Sequence, residues 1–98
     1  MKKLPKVGDK VKLNQFTPIY GYFLADYPYN KGYIKRDTIG ECNVTNVPAP
    51  LINRLFACID FPPDTPLFTR HGEPIPYKNP HNNSYRVAVY PEECELIK

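Results

Sequence analysis

The chain alternates apolar and polar residues in several short stretches, a pattern that predicts β-strands. The predicted strands span residues 7–13, 39–47, 55–61, 85–90 and 95–97. Strict alternation over about four to eight residues is typical of strands with one buried face. Glycine and proline residues separate these stretches, so the pattern favours an antiparallel, mainly β domain.

The same alternation predicts which face of each strand is apolar. Residues that share these faces are Val11 and Leu13, Cys42 and Val44, Leu55, Ala57, Ile59 and Phe61, and Tyr85, Val87 and Val89. The opposite face of the 55–61 strand carries Phe56, Cys58 and Asp60. We expect 55–61 to be the best core strand. We expect 39–47 to be short and bent, because Pro48 and Pro50 follow it.

Prolines limit helix formation in this sequence. The chain has 12 prolines and 5 glycines, and a proline inside a helix removes a hydrogen bond and clashes with the preceding turn. An all-helical bundle is therefore excluded. At 91–94, a proline followed by two glutamates and a cysteine predicts one 3₁₀ turn before the last strand.

Two long connections, residues 14–38 and 62–84, join the predicted strands. Connections of 25 and 23 residues in a compact domain usually carry function or contain small elements of their own. The small elements predicted inside them are a strand at 17–23, a turn at 29–32 and a ribbon that pairs 67–70 with 75–77.

Length and composition indicate one folded domain, which we assign to residues 1–98. A chain of 98 residues buries only about 60–70% of its unfolded surface, so one modest core must stabilise the fold. Hydrophobic residues make up 42% and charged residues 23% of the chain. These fractions lie in the globular range and exclude wholesale disorder.

The cysteines and the N-terminus indicate a cytoplasmic protein. Cys42, Cys58 and Cys94 are odd in number and have no close spacing, which favours reduced thiols over a disulfide framework. Lys2 and Lys3 precede proline and charged residues, where a signal peptide needs an apolar run. No apolar run approaches the roughly 20 residues of a membrane helix, so we expect no membrane association.

Charge is unevenly distributed along the chain. Residues 1–36 contain eight basic and two acidic side chains, whereas residues 37–98 contain five basic and eight acidic ones. The basic residues of the first segment would form a positive face if the fold brought them together. Otherwise they solvate an exposed tail and the polar side of an edge strand.

Tyrosines and cations are interleaved in the first connection. The candidate binding residues are Tyr20, Tyr22, Tyr27, Tyr29, Lys31, Tyr33, Lys35 and Arg36. Tyrosine gives a protein interface a large, rigid contact area. The same rings stack on unpaired bases when nearby cations neutralise the phosphates. Some of these tyrosines also suit the small core, because the chain has no tryptophan and only five phenylalanines.

The sequence carries no pattern typical of catalysis or of metal and cofactor binding. The cysteines, His71 and His81 are scattered without the close spacing of metal ligands, so we expect no metal site. The glycines are too widely spaced for a phosphate-binding loop. We therefore expect no catalytic residues, no cofactor and no enzyme activity.

The two ends of the chain resemble a known family. Residues 8–11 have the pattern G-D-x-V, and residues 91–94 form the expected 3₁₀ turn before a last short strand. Together they resemble small SH3-like barrels of the KOW and Tudor-like types, which occur in bacterial and phage proteins. The likeness covers about half of the chain, and Gly21 and Gly40 do not match the central glycine of a KOW motif. It implies an SH3-like barrel or half-barrel that binds protein or nucleic acid, and it transfers no catalytic residue.

These observations together predict a non-catalytic protein-binding module. Its size and its two elaborated connections suit a small accessory or inhibitory protein, such as phages direct against a host protein or complex. The alternative is a nucleic-acid-binding protein that uses the tyrosine- and lysine-rich surface. The sequence leaves the oligomeric state open.

Overall fold

The computed structural model describes residues 3–19, 32–76 and 84–97, and these residues form an almost purely β structure. The strands are β1 (Lys10–Leu13), β2 (Thr17–Pro18), β3 (Tyr33–Ile34), β4 (Ile39–Pro48), β5 (Leu55–Phe61), β6 (Tyr85–Val89) and β7 (Cys94–Leu96). A 3₁₀ helix at Pro91–Glu93 separates β6 from β7. The mainly β prediction is confirmed.

Five of the strands form one antiparallel sheet in the order β6-β5-β4-β1-β7, while β2 and β3 pair separately. Within the described ranges, β6 and β7 are the two edges of this sheet and do not pair with each other. Of the two expected forms, barrel or half-barrel, the closed barrel is therefore not formed. β7 has only three residues and pairs with β1 along one edge, and β6 pairs with β5 along one edge, so the sheet stays open between β6 and β7.

Strand β4 is bent, as expected, but it is not short. It has ten residues and is the longest of the strands named above. Its register against β5 shifts between Cys42 and Val44 and again between Val44 and Val47. Such irregularities bend a strand and increase its twist. The strand runs to Pro48, a position compatible with proline at a strand end.

The short terminal strands differ slightly from their predicted bounds. β1 begins at Lys10 rather than at residue 7, because Gly8 has a φ of 95° and the Asp9 N–H donates to the Lys6 carbonyl at 3.0 Å. This turn prevents an extended strand from starting earlier. β7 begins at Cys94, directly after the 3₁₀ helix, and ends one residue before the predicted end.

The core lies on the inward face of the main sheet. Its fully buried members include Val11, Leu13, Ile34, Ala57, Ile59, Val87 and Val89. One prediction for β5 is wrong: Leu55 is 45% exposed, because it is the first residue after an exposed loop. Phe56 and Cys58 on the opposite face of β5 are buried as well, so both faces of this strand contribute to the interior. The Tyr90 ring covers Phe56 edge-on, with the ring centroids 6.4 Å apart.

The predicted 3₁₀ turn is confirmed at Pro91–Glu93. The Tyr90 N–H donates to Glu93 Oε1 at 2.8 Å, and the Glu93 N–H donates back to the Tyr90 carbonyl at 2.9 Å. These two bonds satisfy donors that a helix start otherwise leaves unpaired.

Across the described ranges, no helix has the length and apolar character to cross a membrane.

Candidate functional site

The structure describes part of the sequence-predicted binding surface. Tyr33, Lys35 and Arg36 lie within the described residues. The other predicted members, Tyr20, Tyr22, Tyr27, Tyr29 and Lys31, lie outside the described residues, as do most of the predicted strand at 17–23 and most of the turn at 29–32. The site is therefore built from Tyr33, Lys35, Arg36 and the side chains around them.

Tyr33 joins the two long connections. Its N–H donates to the Phe68 carbonyl at 2.8 Å, and the Phe68 N–H donates to the Tyr33 carbonyl at 3.0 Å. Tyr33 also pairs with Pro18 in β2, and Phe68 pairs with Pro74 across the predicted ribbon. A row of four paired positions thus runs through both connections. The ribbon prediction is confirmed in residues 67–76, while residue 77 lies outside the described ranges.

Three half-buried aromatic rings gather on this row. The Phe16 ring stacks on the Tyr33 ring with a centroid distance of 4.9 Å and an interplanar angle of 3°. The Phe68 ring lies 6.4 Å from Phe16 and is tilted by 56°. We call Phe16, Tyr33 and Phe68 the aromatic cluster. Its rings keep part of their surface accessible, so they can contact another molecule.

The start of the first connection is fixed against the 3₁₀ helix, and this positions Phe16. The Asn14 N–H donates to the Glu93 carbonyl at 3.0 Å, and Gln15 Nε2 donates to Glu93 Oε2 at 3.1 Å. Thr17 Oγ1 donates to the Gln15 carbonyl at 2.8 Å and is buried. Phe16 therefore projects from a segment that is held on both sides.

Two cations lie at the end of β3, beside the aromatic cluster. Lys35 Nζ lies 5.5 Å from the centroid of the Phe68 ring, within cation–π range. Arg36 is 71% exposed, and its Nε lies 3.9 Å from Asp37 Oδ1. Asp37 adopts a φ of 72° and donates its N–H to the Leu13 carbonyl at 2.9 Å, which turns the chain back toward β4.

The N-terminal lysines of β1 do not add to this positive charge. Lys10 Nζ lies 3.0 Å from Glu41, and Lys12 Nζ lies 3.4 Å from Glu95. Each acid is the direct cross-strand neighbour of its lysine. The main sheet thus presents alternating charges at these positions, because each lysine of β1 faces an acid of a neighbouring strand.

An exposed apolar loop, which the sequence pattern did not predict, lies between β4 and β5. Leu51 is fully exposed and Ile52 is half exposed, and Leu55, the first residue of β5 after the loop, is exposed as well. The Ala49 N–H donates to the Arg54 carbonyl at 2.9 Å and closes the loop. The available signal was composition: this hairpin connection contains leucine and isoleucine where glycine, asparagine or aspartate is usual.

A shallow groove of about 340 Å³ adjoins this loop, lined by Ala49, Pro50, Phe56, Ala88 and Tyr90. The Arg54 guanidinium lies 4.0 Å from the centroid of the Tyr90 ring and bonds Glu92 Oε2 at 2.7 Å. The Tyr90 ring and the Glu92 carboxylate together hold Arg54 at the rim of the groove. The groove is therefore apolar inside, and its rim charge is already paired.

The cysteines are suited to packing. All three are buried, and burial is the main cause that raises the pKa of the Cys42 and Cys58 thiols above the ordinary value. A raised pKa lowers the thiolate fraction and hence the reactivity. Among the residues described, no group of three or more His, Cys, Asp or Glu side chains is arranged to hold a metal ion.

Comparison with known proteins finds no protein-family model that matches the chain, and no curated protein or solved structure that resembles it significantly.

Proposed function

We propose that this protein is a non-catalytic protein-binding module and that the aromatic cluster is its contact surface. The observation that carries the proposal is the reciprocal hydrogen bonding of Tyr33 and Phe68, which fixes three partly accessible rings next to Lys35. Rigid aromatic side chains dominate the binding energy of protein interfaces, because they bury large area at small entropic cost.

The distribution of charge favours a protein partner over a nucleic acid. A nucleic-acid surface needs several cations that follow the phosphate backbone. Lys10 and Lys12 are instead matched with acidic neighbours. The exposed leucine at 51 and the apolar groove beside it also favour protein contacts, since neither offers charge to a phosphate.

We also propose that the fold is an SH3-like architecture with an open sheet. Its support is the order of the five strands, in which β1 lies between β4 and β7, and the 3₁₀ helix before β7. We further propose that the protein acts in the cytoplasm as an accessory or inhibitory protein. The three buried thiols support a reducing compartment.

Affinity capture tests the protein-binding proposal. The immobilised protein is exposed to a bacterial lysate with and without nuclease, and the retained proteins are identified. We expect a specific protein to be retained, and we expect its retention to be the same after nuclease treatment. Phe16→Ala and Phe68→Ala should each weaken that retention at least about tenfold, because each removes an aromatic anchor of the contact surface. Activity of the captured complex then distinguishes an inhibitory from an accessory role.

Val7→Ala is the matched control for these substitutions. Val7 is an exposed apolar residue outside the aromatic cluster, so its loss should leave retention unchanged. Thermal unfolding of each variant separates lost contacts from lost folding. Retention of the same proteins by all the folded variants would contradict the aromatic cluster as contact surface. Retention that disappears with nuclease would favour the nucleic-acid alternative.

A further inference from the structure

We infer that the aromatic cluster binds an acidic polypeptide segment, one that places carboxylates beside an apolar side chain. The inference rests on the proposed function and specifies the chemistry of the partner.

The cations of the protein differ in whether a neighbouring carboxylate already neutralises them. In the described parts of the chain, four cations lie within 3.4 Å of a carboxylate oxygen: Lys10, Lys12, Arg54 and Arg86. Their acidic partners come from neighbouring strands or, for Arg54, from the 3₁₀ helix. These cations therefore have little unmatched charge to offer a ligand.

The cations beside the aromatic cluster are different. No carboxylate within the described ranges forms a salt bridge with Lys35, whose ammonium lies over the Phe68 ring. Among the residues that the structure describes, the acid paired with Arg36 is its sequence neighbour Asp37, at 3.9 Å and in an exposed position. Arg70, two residues beyond Phe68, donates from Nε to His71 Nε2 at 3.4 Å.

Acids of the same segments do not cancel this charge. Segments 32–38 and 67–76 contain two acidic residues, Asp37 and Glu73. The same segments contain three cations, which are Lys35, Arg36 and Arg70. The two segments that carry Tyr33 and Phe68 thus hold three cations against two acids, and Lys35 lies directly against the Phe68 ring. A guanidinium as exposed as that of Arg36 can take a carboxylate in two parallel hydrogen bonds.

A ligand that complements both features is a polypeptide with an apolar side chain flanked by acids. The apolar side chain packs on the rings of the cluster, and the carboxylates reach Lys35 and Arg36. A single strand of nucleic acid also offers flat rings and negative charge. It requires a longer row of free cations, and the paired state of Lys10 and Lys12 disfavours it.

The experiment measures fluorescence anisotropy of labelled probes with the whole protein. The probes are a Glu-Glu-Leu-Phe-Glu-Glu peptide, the same peptide with glutamine or with lysine in place of glutamate, and an oligothymidylate of about 15 nucleotides. We expect the glutamate peptide to bind about tenfold more tightly than the glutamine peptide. Raising salt from about 0.05 to 0.5 M should remove this difference, because salt screens exposed charges.

Charge reversal at the cluster supplies the second readout. Lys35→Glu combined with Arg36→Glu should weaken the glutamate peptide about tenfold and strengthen the lysine peptide. The control combines Lys3→Glu with Lys6→Glu, which changes the net charge equally at exposed positions outside the cluster. The control should leave the preference for the glutamate peptide unchanged.

Each remaining outcome overturns the inference in a distinguishable way. Equal binding of the glutamate and glutamine peptides, with loss on Phe16→Ala, overturns the acidic segment but leaves the protein-binding proposal standing. Absence of binding by any of the peptides also overturns the acidic segment, and lysate capture then decides the protein-binding proposal separately. Tighter binding of oligothymidylate than of the peptides, with loss on Phe16→Ala, overturns both.

Discussion

Tyr33 and Phe68 exchange two backbone hydrogen bonds, at 2.8 and 3.0 Å, although each belongs to a different long connection. This pairing turns two separate connections into one small β structure beside the main sheet. Leu67 and Ile34, the neighbours of the pair, are both buried in the common core. The surface residues Phe16, Tyr33 and Phe68 are therefore supported by core packing beneath them, which restricts their motion before any partner binds.

Gly40 in β4 is the position where a side chain should be tolerated least. A Cβ there would lie 2.6 Å from the Asp60 carbonyl oxygen and 2.7 Å from Phe61 Cε1. The backbone of Asp60 cannot move aside without breaking the pairing of β4 with β5. We therefore expect Gly40→Ala to lower the free energy of unfolding by about 3 kcal/mol. Chemical denaturation measures this value.

Gly72→Ala is the matched control for Gly40. Gly72 has a φ of 87° but open space around the added Cβ, so only the left-handed backbone opposes alanine. Its cost should be about 1 kcal/mol. Equal costs at the two glycines would contradict the close approach of β4 and β5 at Gly40.

Two acids that face each other across β4 and β5 should contribute very differently to stability. Asp60 is 22% exposed, and its carboxylate accepts from Arg86 Nε at 2.9 Å and from Asn43. Glu41 is exposed, pairs with Lys10 and lies directly opposite Asp60. We expect Asp60→Ala to cost about 1–3 kcal/mol, because it leaves partly buried donors without this acceptor.

Glu41→Ala should change stability by less than about 1 kcal/mol, since an exposed ion pair is weak and removing Glu41 relieves repulsion with Asp60. Urea denaturation of both variants at neutral pH provides the comparison. A larger loss in Glu41→Ala than in Asp60→Ala would show that burial does not govern the two contributions.

The sequence predicts the main sheet well for a physical reason. Alternation reflects which face of a strand is buried, and β5 is bounded by an exposed loop on one side and by Pro62 and Pro63 on the other. The irregular register of β4 is not predictable in this way, because it depends on how β4 fits β5. The burial of Phe56 depends similarly on the Tyr90 ring, which reaches it from the end of β6.

The candidate site was predicted only in part. Tyr33, Lys35 and Arg36 stand out as aromatic and basic residues close together in sequence. Phe16 and Phe68 join them only through pairing between the two connections. A one-dimensional pattern contains no information on that pairing, because the contact brings together residues far apart in the chain.

Leu51 occupies a backbone conformation that suits asparagine better than leucine. Its φ is 70°, and its side chain is fully exposed, so its substitution removes no packing within the described residues. We expect Leu51→Asn to raise the free energy of unfolding by about 0.5 kcal/mol, because asparagine tolerates the left-handed region. Thermal and chemical denaturation test the change.

The control at this loop is Ile52→Asn. Ile52 is half exposed and has no left-handed φ, so the same replacement should lower stability through lost apolar burial. Destabilisation of equal size by both substitutions would show that backbone conformation at Leu51 is not what limits stability there.

Burial of two thiols predicts how stability depends on alkaline pH. The pKa of Cys42 is raised above its ordinary value of 9.0 mainly by burial, and further by Asp9, Cys58 and Asp60. The pKa of Cys58 is also raised mainly by burial, although Arg86 opposes the shift. The unfolded chain therefore releases these protons at lower pH than the folded protein does.

It follows that the stabilising contribution of the two protonated thiols is complete below the ordinary pKa and is lost as pH rises through the raised values. We expect the free energy of unfolding to fall above about pH 9, by at most about 1.4 kcal/mol per pH unit for each thiol. Lysines and tyrosines titrate in the same range, so the informative quantity is the difference from a Cys42→Ala, Cys58→Ala double variant. That variant should lose stability less steeply between about pH 9 and 11, because it lacks the two groups that ionise preferentially in the unfolded chain. Parallel pH profiles for the two proteins would contradict the assignment of this slope to Cys42 and Cys58.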